Sequence, residues 1–136
     1  YRAMMANRLP NFSYTIGYLN QSWTLRADMT SRYLVQLWKD MDTRGEQWAC
    51  PVLPDGEAAD LPLLEMSSGY IQRSIGSLPR QGAGDPWRME QDYIKERRTY
   101  TGADNTHDMA FGAEALEAAA PLASGAGGGG AAELRV

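Results

Sequence analysis

The sequence predicts an α/β fold that is mostly helical, and three observations lead there. From Phe12 to Tyr18, large side chains (Phe12, Tyr14, Ile16, Tyr18) alternate with Ser13, Thr15 and Gly17, the period of two that a strand needs. Leu25, Met29, Tyr33, Leu37 and Met41 then recur every fourth residue, which puts them on one face of a helix. Between Ala110 and Ala132, Ala and Gly fill most positions. Such a stretch has little apolar bulk to offset chain entropy, so a disordered tail is expected there.

The elements follow in chain order. The chain opens on Tyr1-Arg2-Ala3-Met4-Met5, without an initiator Met, and runs at once into strand-like sequence. A lone strand cannot bury both faces, so the expectation is that either the N-terminal boundary cuts through a larger fold or the true start is missing. Asn7-Arg8-Leu9-Pro10-Asn11 reads as a turn feeding the strand. After Leu19, either Asn20 or Ser22 can cap a helix expected from Trp23 to Arg44, with Gly45 as its stop. Arg26, Arg32, Gln36, Lys39 and Asp40 are assigned to its polar face. A strand turning into a helix aims the helix N-terminus, with its free N–H groups and positive dipole end, beyond the sheet.

Pro51, Pro54 and Pro62 predict an irregular connection over residues 46–66. A short helix is expected from Ser67 or Ser68 to Ser77, with Tyr70, Ile71, Ser74, Ile75 and Leu78 inward. Asp85-Pro86 reads as the cap and first position of a further helix reaching Thr99. Trp87, Ile94 and Tyr93 are placed on its inner face, with Arg88 and Asp92 paired outside.

The bulk numbers narrow the class. The chain has 136 residues, and outside the tail about 100 remain for one domain, holding all four Trp and all seven Tyr. A formal net charge of −4 argues against a nucleic-acid binder, because phosphate neutralisation needs a basic face. The single cysteine, Cys50, excludes an internal disulfide and fits a reducing compartment. No apolar run approaches the ~20 residues of a membrane helix. No signal-peptide h-region is visible, and a cytoplasmic location is expected.

Few constellations carry chemistry. His107 and Cys50 are the only residues of their kinds and have no ligand partners at a usable spacing, so no metal site is expected. A nucleophile–base pair would have to use His107. Gly82-Ala83-Gly84 lacks the following Lys-Ser/Thr of a phosphate loop, and no G-x-G-x-x-G follows a strand. Arg73, Arg80, Arg88, Lys95, Arg97 and Arg98 are interleaved with acids, which favours a salt-laced helix surface over an anion site. Trp23 stands apart, because it lies at the helix entrance where a cofactor can stack.

These residues also carry a resemblance. Tyr1-x-x-Met4-Met5-x-x-x-Leu9-Pro10-Asn11-Phe12, followed by Ile16-Gly17-Tyr18-x-Asn20-x-Ser22-Trp23-Thr24-Leu25-Arg26-Ala27-Asp28, resembles the C-terminal part of class B flavin monooxygenases. That branch holds bacterial flavin-containing and Baeyer–Villiger-type monooxygenases. Ser68-Gly69-Tyr70-Ile71-Gln72-Arg73, Leu78-Pro79-Arg80-Gln81-Gly82, Pro86-Trp87-Arg88 and Asp108-Met109-Ala110-Phe111 are similar to segments near the family's end.

The resemblance implies a C-terminal piece of an FAD- and NADPH-dependent enzyme with a Rossmann-like fold. Such an enzyme oxygenates a small organic substrate, a ketone or an N or S atom, with O2 through a peroxyflavin. Residues 1–45 would be the last strand and helix of the FAD-binding domain, residues 46–100 a C-terminal helical segment, and residues 101–136 a largely disordered tail. Asn20, Gln21, Ser22, Trp23, Thr24 and Leu25 would form a flavin-side wall, with Tyr70 and Trp87 on the substrate side. The family's two dinucleotide fingerprints are absent here, so the chain alone is expected to be inactive. The competing readings are a non-enzymatic helical interaction module and a small hydrolase built on His107.

Overall fold

The computed structural model describes residues 1–64, 69, 73, 75–101 and 106–124, the side chains of 75 and 121–124 aside. Its longest element is helix α1, Trp23–Arg44, with the bounds that the four-residue spacing predicts. Gly45 ends it in the left-handed region at φ 69°. The Gly45 N–H donates to Asp42 O (3.1 Å) and the Glu46 N–H to Met41 O (2.9 Å), a Schellman stop that a glycine makes without Cβ strain. The expected N-cap is only partly right. Ser22 holds that position, but its side chain makes no capping bond and instead lies 2.9 Å from Thr24 Oγ1.

The buried stripe of α1 is Arg26, Met29, Thr30, Tyr33, Leu37 and Met41. Two assignments therefore change places. Arg26, expected on the polar face, is fully buried, while Leu25, expected inside, is 37% exposed. Arg26 lies three and seven residues before Met29 and Tyr33, so helical spacing puts it in the stripe, and Glu96 makes that burial tolerable.

Residues 12–18 are extended but join no ladder among the described residues. Strand assignment needs a hydrogen-bonded neighbour, and the backbone bond found there is Tyr14 N–H to Met4 O (2.8 Å). The turn before it is pinned by two asparagines. Asn11 accepts from Ala49 N–H (3.0 Å) and donates to Gln47 O (2.9 Å), and Asn7 accepts from Leu53 N–H (2.9 Å).

Two short antiparallel ribbons complete the frame. Strand β1 (Ala49–Pro51) pairs with β4 (Met109–Phe111), with Cys50 opposite Ala110. Strand β2 (Leu61–Pro62) pairs with β3 (Arg80–Gln81). The rest of 46–64 is irregular, as its prolines predict. Of the helix expected before residue 78, Ser67, Ser68, Tyr70, Ile71, Gln72 and Ser74 lie outside the described residues, and Ile75–Ser77 form a 3₁₀ turn.

Helix α2 spans Tyr93–Tyr100, seven residues later than the Asp85-Pro86 signal suggests. Asp92 is its cap, with one carboxylate oxygen accepting from Ile94 N–H (3.0 Å) and Lys95 N–H (3.1 Å). That role replaces the expected pairing with Arg88. Pro86 instead offers its carbonyl to Arg2 N–H (2.6 Å), which holds it against the N-terminal turn. The later start also turns Ile94 outward, 52% exposed, rather than inward. Replacing Asp92 with Ala should cost about 1 kcal/mol, read as a lower urea midpoint at unchanged m-value.

The expected disorder from Ala110 is corrected over residues 110–124, where β4 runs directly into helix α3, Gly112–Ser124; residues 125–136 lie outside the described residues. Small residues here permit close approach: Ala115 is fully buried, and the Glu46 carboxylate packs where a Cβ on Gly112 would stand. Arg44 covers the Phe111 ring at 4.4 Å. Met4, Met5, Tyr18, Met29, Tyr33, Leu37, Met41, Trp87 and Tyr100 make up most of the core beneath these elements.

Candidate functional site

The residues expected to form a wall lie together at the entrance of α1. Asn20, Gln21, Ser22, Trp23, Thr24 and Leu25 are all exposed, and Trp23 is exposed to 54%. The Trp23 indole lies over Gly17, in space that a Cβ on that residue would occupy. Only a glycine leaves room for this, so the Gly17 of the alternating segment sets the indole's position. Leu19 is 43% exposed beside it, giving the face an apolar character. No acidic side chain sits in the first turn of α1, so the positive end of its dipole is not neutralised there.

Beneath this surface lies a buried polar network that the periodicity alone does not reveal. Arg26 donates through Nη1 to Glu96 Oε2, forming an ion pair, and through Nη2 to Arg2 O (2.7 Å) and Tyr100 Oη (2.9 Å). Tyr18 Oη donates to the same Glu96 oxygen (2.6 Å), and Glu96 Oε1 accepts from Glu90 N–H (2.9 Å). Tyr100 Oη donates to Arg2 O (2.8 Å). The Arg26 guanidinium also faces the rings of Tyr18 and Tyr100 at 5.5 and 5.9 Å. Burial, and for Tyr18 also its bond to Glu96, holds the phenols of Tyr18 and Tyr100 above their usual range. Both stay protonated donors. The one cue in the sequence to this network is an Arg placed in an apolar stripe.

The network fixes the end of the extended segment to α1 and α2, and a second set of bonds fixes the loop. Leu19 N–H donates to Gln91 Oε1 (2.9 Å), and Gln21 Nε2 donates to Gln91 O (3.3 Å). Gln91 was not among the residues that sequence reasoning selected.

Of the two substrate-side candidates, Trp87 does not join this wall. Tyr70 lies outside the described residues. Trp87 is buried at 4% exposure, edge-on to Tyr1 with ring centroids 5.3 Å apart, and its Nε1 donates to Asp108 Oδ2 (2.8 Å). Within this chain it is packed in the core, away from Asn20 to Leu25.

Other chemistry is weakly provided for. His107 is exposed and sits 2.9 Å from Asp108 Oδ1. Cys50 is fully buried, and that burial pushes its thiol up, away from the reactive thiolate. Among the described residues, no group of three or more His, Cys, Asp or Glu is placed to hold a metal ion. No helix among them is long and apolar enough to cross a membrane.

An α/β segment with an exposed aromatic at a helix entrance suits a cofactor-binding oxidoreductase, and sequence relatives define the class. The chain is homologous to a segment of the FAD-containing monooxygenases. It is 39% identical over 98 residues to the FAD-containing monooxygenase EthA of Mycobacterium tuberculosis, covering 72% of this chain and 20% of that protein. EthA of Mycolicibacterium smegmatis is 38% identical over 99 residues, again 72% and 20% of the two chains. The "Probable FAD-binding monooxygenase AlmA" of Acinetobacter baylyi is 33% identical over 107 residues, 76% and 21% of the two. The chain therefore spans about a fifth of the length of the relatives it matches. No protein-family profile matches it. No solved structure matches it either.

Proposed function

We propose that this chain is the C-terminal segment of an FAD- and NADPH-dependent monooxygenase that oxygenates a small organic substrate, a ketone or an N or S atom, with O2. The observation that carries this reading is the 39% identity to an FAD-containing monooxygenase over 98 residues. In this proposal residues 1–45 complete the FAD-binding domain, the extended residues 12–18 forming the last strand of a sheet supplied by the rest of the enzyme. Residues 46–100 form the C-terminal segment, and residues 101–136 follow it, carrying β4 and α3.

The fit to flavin is that of one wall. An exposed, flat aromatic and an un-neutralised helix N-terminus suit the edge of a flavin ring, and Asn20 to Leu25 would lie against it. The pyrophosphate has no glycine-rich turn here to receive it, so the dinucleotide would be held elsewhere. Bound flavin supplies the activation of oxygen. The chain's own residues would contribute one side of the site: Trp23 and Leu25 exclude water, and the first turn of α1 favours negative charge lying against it. The Arg26–Glu96 pair holds α1 while leaving no net charge behind the wall.

A chimaera tests this. The matching 98 residues replace their counterpart in EthA of M. tuberculosis, and bound FAD and NADPH-dependent oxygen uptake are measured. Retention of both is expected, with Trp23→Ala lowering FAD occupancy. A folded chimaera without flavin would overturn the proposal. So would stoichiometric flavin and NADPH oxidation by the 136-residue chain alone, as far as its inactivity in isolation is concerned.

A further inference from the structure

Gln91 stands in the left-handed region at φ 55°, a backbone state that residues other than glycine, asparagine and aspartate seldom adopt. No sharp hairpin requires it there, but its side-chain amide and its backbone carbonyl are both engaged. Its side-chain oxygen accepts from Leu19 N–H (2.9 Å), its backbone oxygen accepts from Gln21 Nε2 (3.3 Å), and its Nε2 lies 3.2 Å from Met89 Sδ. Two of these partners belong to the loop between the extended segment and α1. On either side the loop is already tied, by Tyr18 to Glu96 behind and by the buried Arg26 to Glu96 ahead. Between those anchors, Asn20 to Leu25 are exposed and have little packing to hold them. The strained residue is the one that bridges this gap.

We infer that Gln91 is a positioning residue, which clamps residues 19–21 and so sets the loop leading to Trp23 at the angle the flavin wall requires. This rests on the flavin reading above. The strain persists because a relaxed Gln91 would aim neither oxygen at the loop. The Glu90 N–H is committed to Glu96, its carboxylate lies 3.7 Å from Lys95 Nζ, and the Asp92 carboxylate caps α2, whereas Gln91 bonds the loop directly.

The test has two arms. In the 136-residue chain, Gln91→Ala should speed amide exchange of Leu19 by about three- to tenfold, the range a single intramolecular hydrogen bond confers, with the core of α1 unchanged. Gln91→Glu, which keeps an acceptor oxygen, should restore slow exchange. Gln91→Gly, which relieves the backbone, should not, although a merely strained turn would be improved by it. In the EthA chimaera, Gln91→Ala should lower FAD occupancy and shift the flavin absorption bands, with Gln91→Glu restoring both. Unchanged Leu19 exchange overturns the inference. Faster exchange with unaltered flavin, where Trp23→Ala does alter it, also overturns it. If Trp23→Ala leaves the flavin unaltered, the flavin wall itself fails and the inference falls with it.

Discussion

Replacing Glu96 with alanine is expected to destabilise the chain by about 3–5 kcal/mol, more than any surface change discussed above. The carboxylate is 3% exposed and takes up four commitments: Arg26, Tyr18 Oη, Glu90 N–H and, through Arg26, the N-terminal turn at Arg2. Without it, a guanidinium with no solvent access has no counter-charge, and two further donors lose their acceptor. Glu96→Gln should cost less, since an amide oxygen still accepts. The informative comparison is the pair Arg26→Met with Glu96→Leu, which removes both charges at similar volume. That double variant should recover most of the lost stability, because desolvating a buried pair offsets much of its attraction. Urea denaturation of the four proteins decides it. A double variant as unstable as Glu96→Ala would mean that the stability comes from the hydrogen bonds rather than from charge compensation.

Trp87→Ala should cost a comparable ~3–5 kcal/mol, for a different reason. The indole is buried against the N-terminal turn, and the Trp87 carbonyl accepts from Gly82 N–H (2.8 Å) just after β3. The ring meets Tyr1 edge-on with centroids 5.3 Å apart, and removing a buried indole leaves a cavity that close-packed neighbours fill only in part. Trp87→Phe separates packing from polarity. It keeps most of the ring but removes the bond to Asp108 Oδ2, and a loss of about 1 kcal/mol is expected. If Trp87→Ala proved nearly neutral, the residue would be freed for the substrate-facing role first assigned to it.

These two residues show how far the sequence could be read. Trp87 is legible as an inward residue from its bulk alone, but whether inward means core or ligand cavity depends on Tyr1 and Asp108, 86 and 21 positions away in the chain. Arg26 shows the reverse. Its charge suggests the surface, and its burial follows only because Glu96, 70 residues later, is brought beside it. The wall residues Asn20 to Leu25 are legible as a helix entrance, since a switch from period two to period 3.6 marks it locally. Gln91 has no such local mark, because its role is made of bonds to residues 70 and 72 positions earlier.

Competing local signals explain the misplaced elements. Asp85-Pro86 and Asp92 are both good helix starts on their own. The tertiary fold chose Asp92, because Pro86 and Trp87 are taken up by the N-terminal turn and the core. Residues 110–124 lack bulk, and bulk was the criterion for order. They are held instead by closeness, with Phe111 laddered to Ala49 and under Arg44, and Ala115 against β1.

What the sequence determined by itself is α1 from Trp23 to its stop at Gly45, the irregular run through the prolines, and homology to a segment of the FAD-containing monooxygenases. Helix period, an αL glycine and proline restriction are local effects, acting within a turn or two. The tertiary structure alone decided that Arg26 is inside, that α2 begins at Asp92, that the Ala-rich stretch folds onto β1, and that Gln91 grips the loop before Trp23. Each of these is settled by a partner far along the chain, and no local pattern carries the identity of a distant partner.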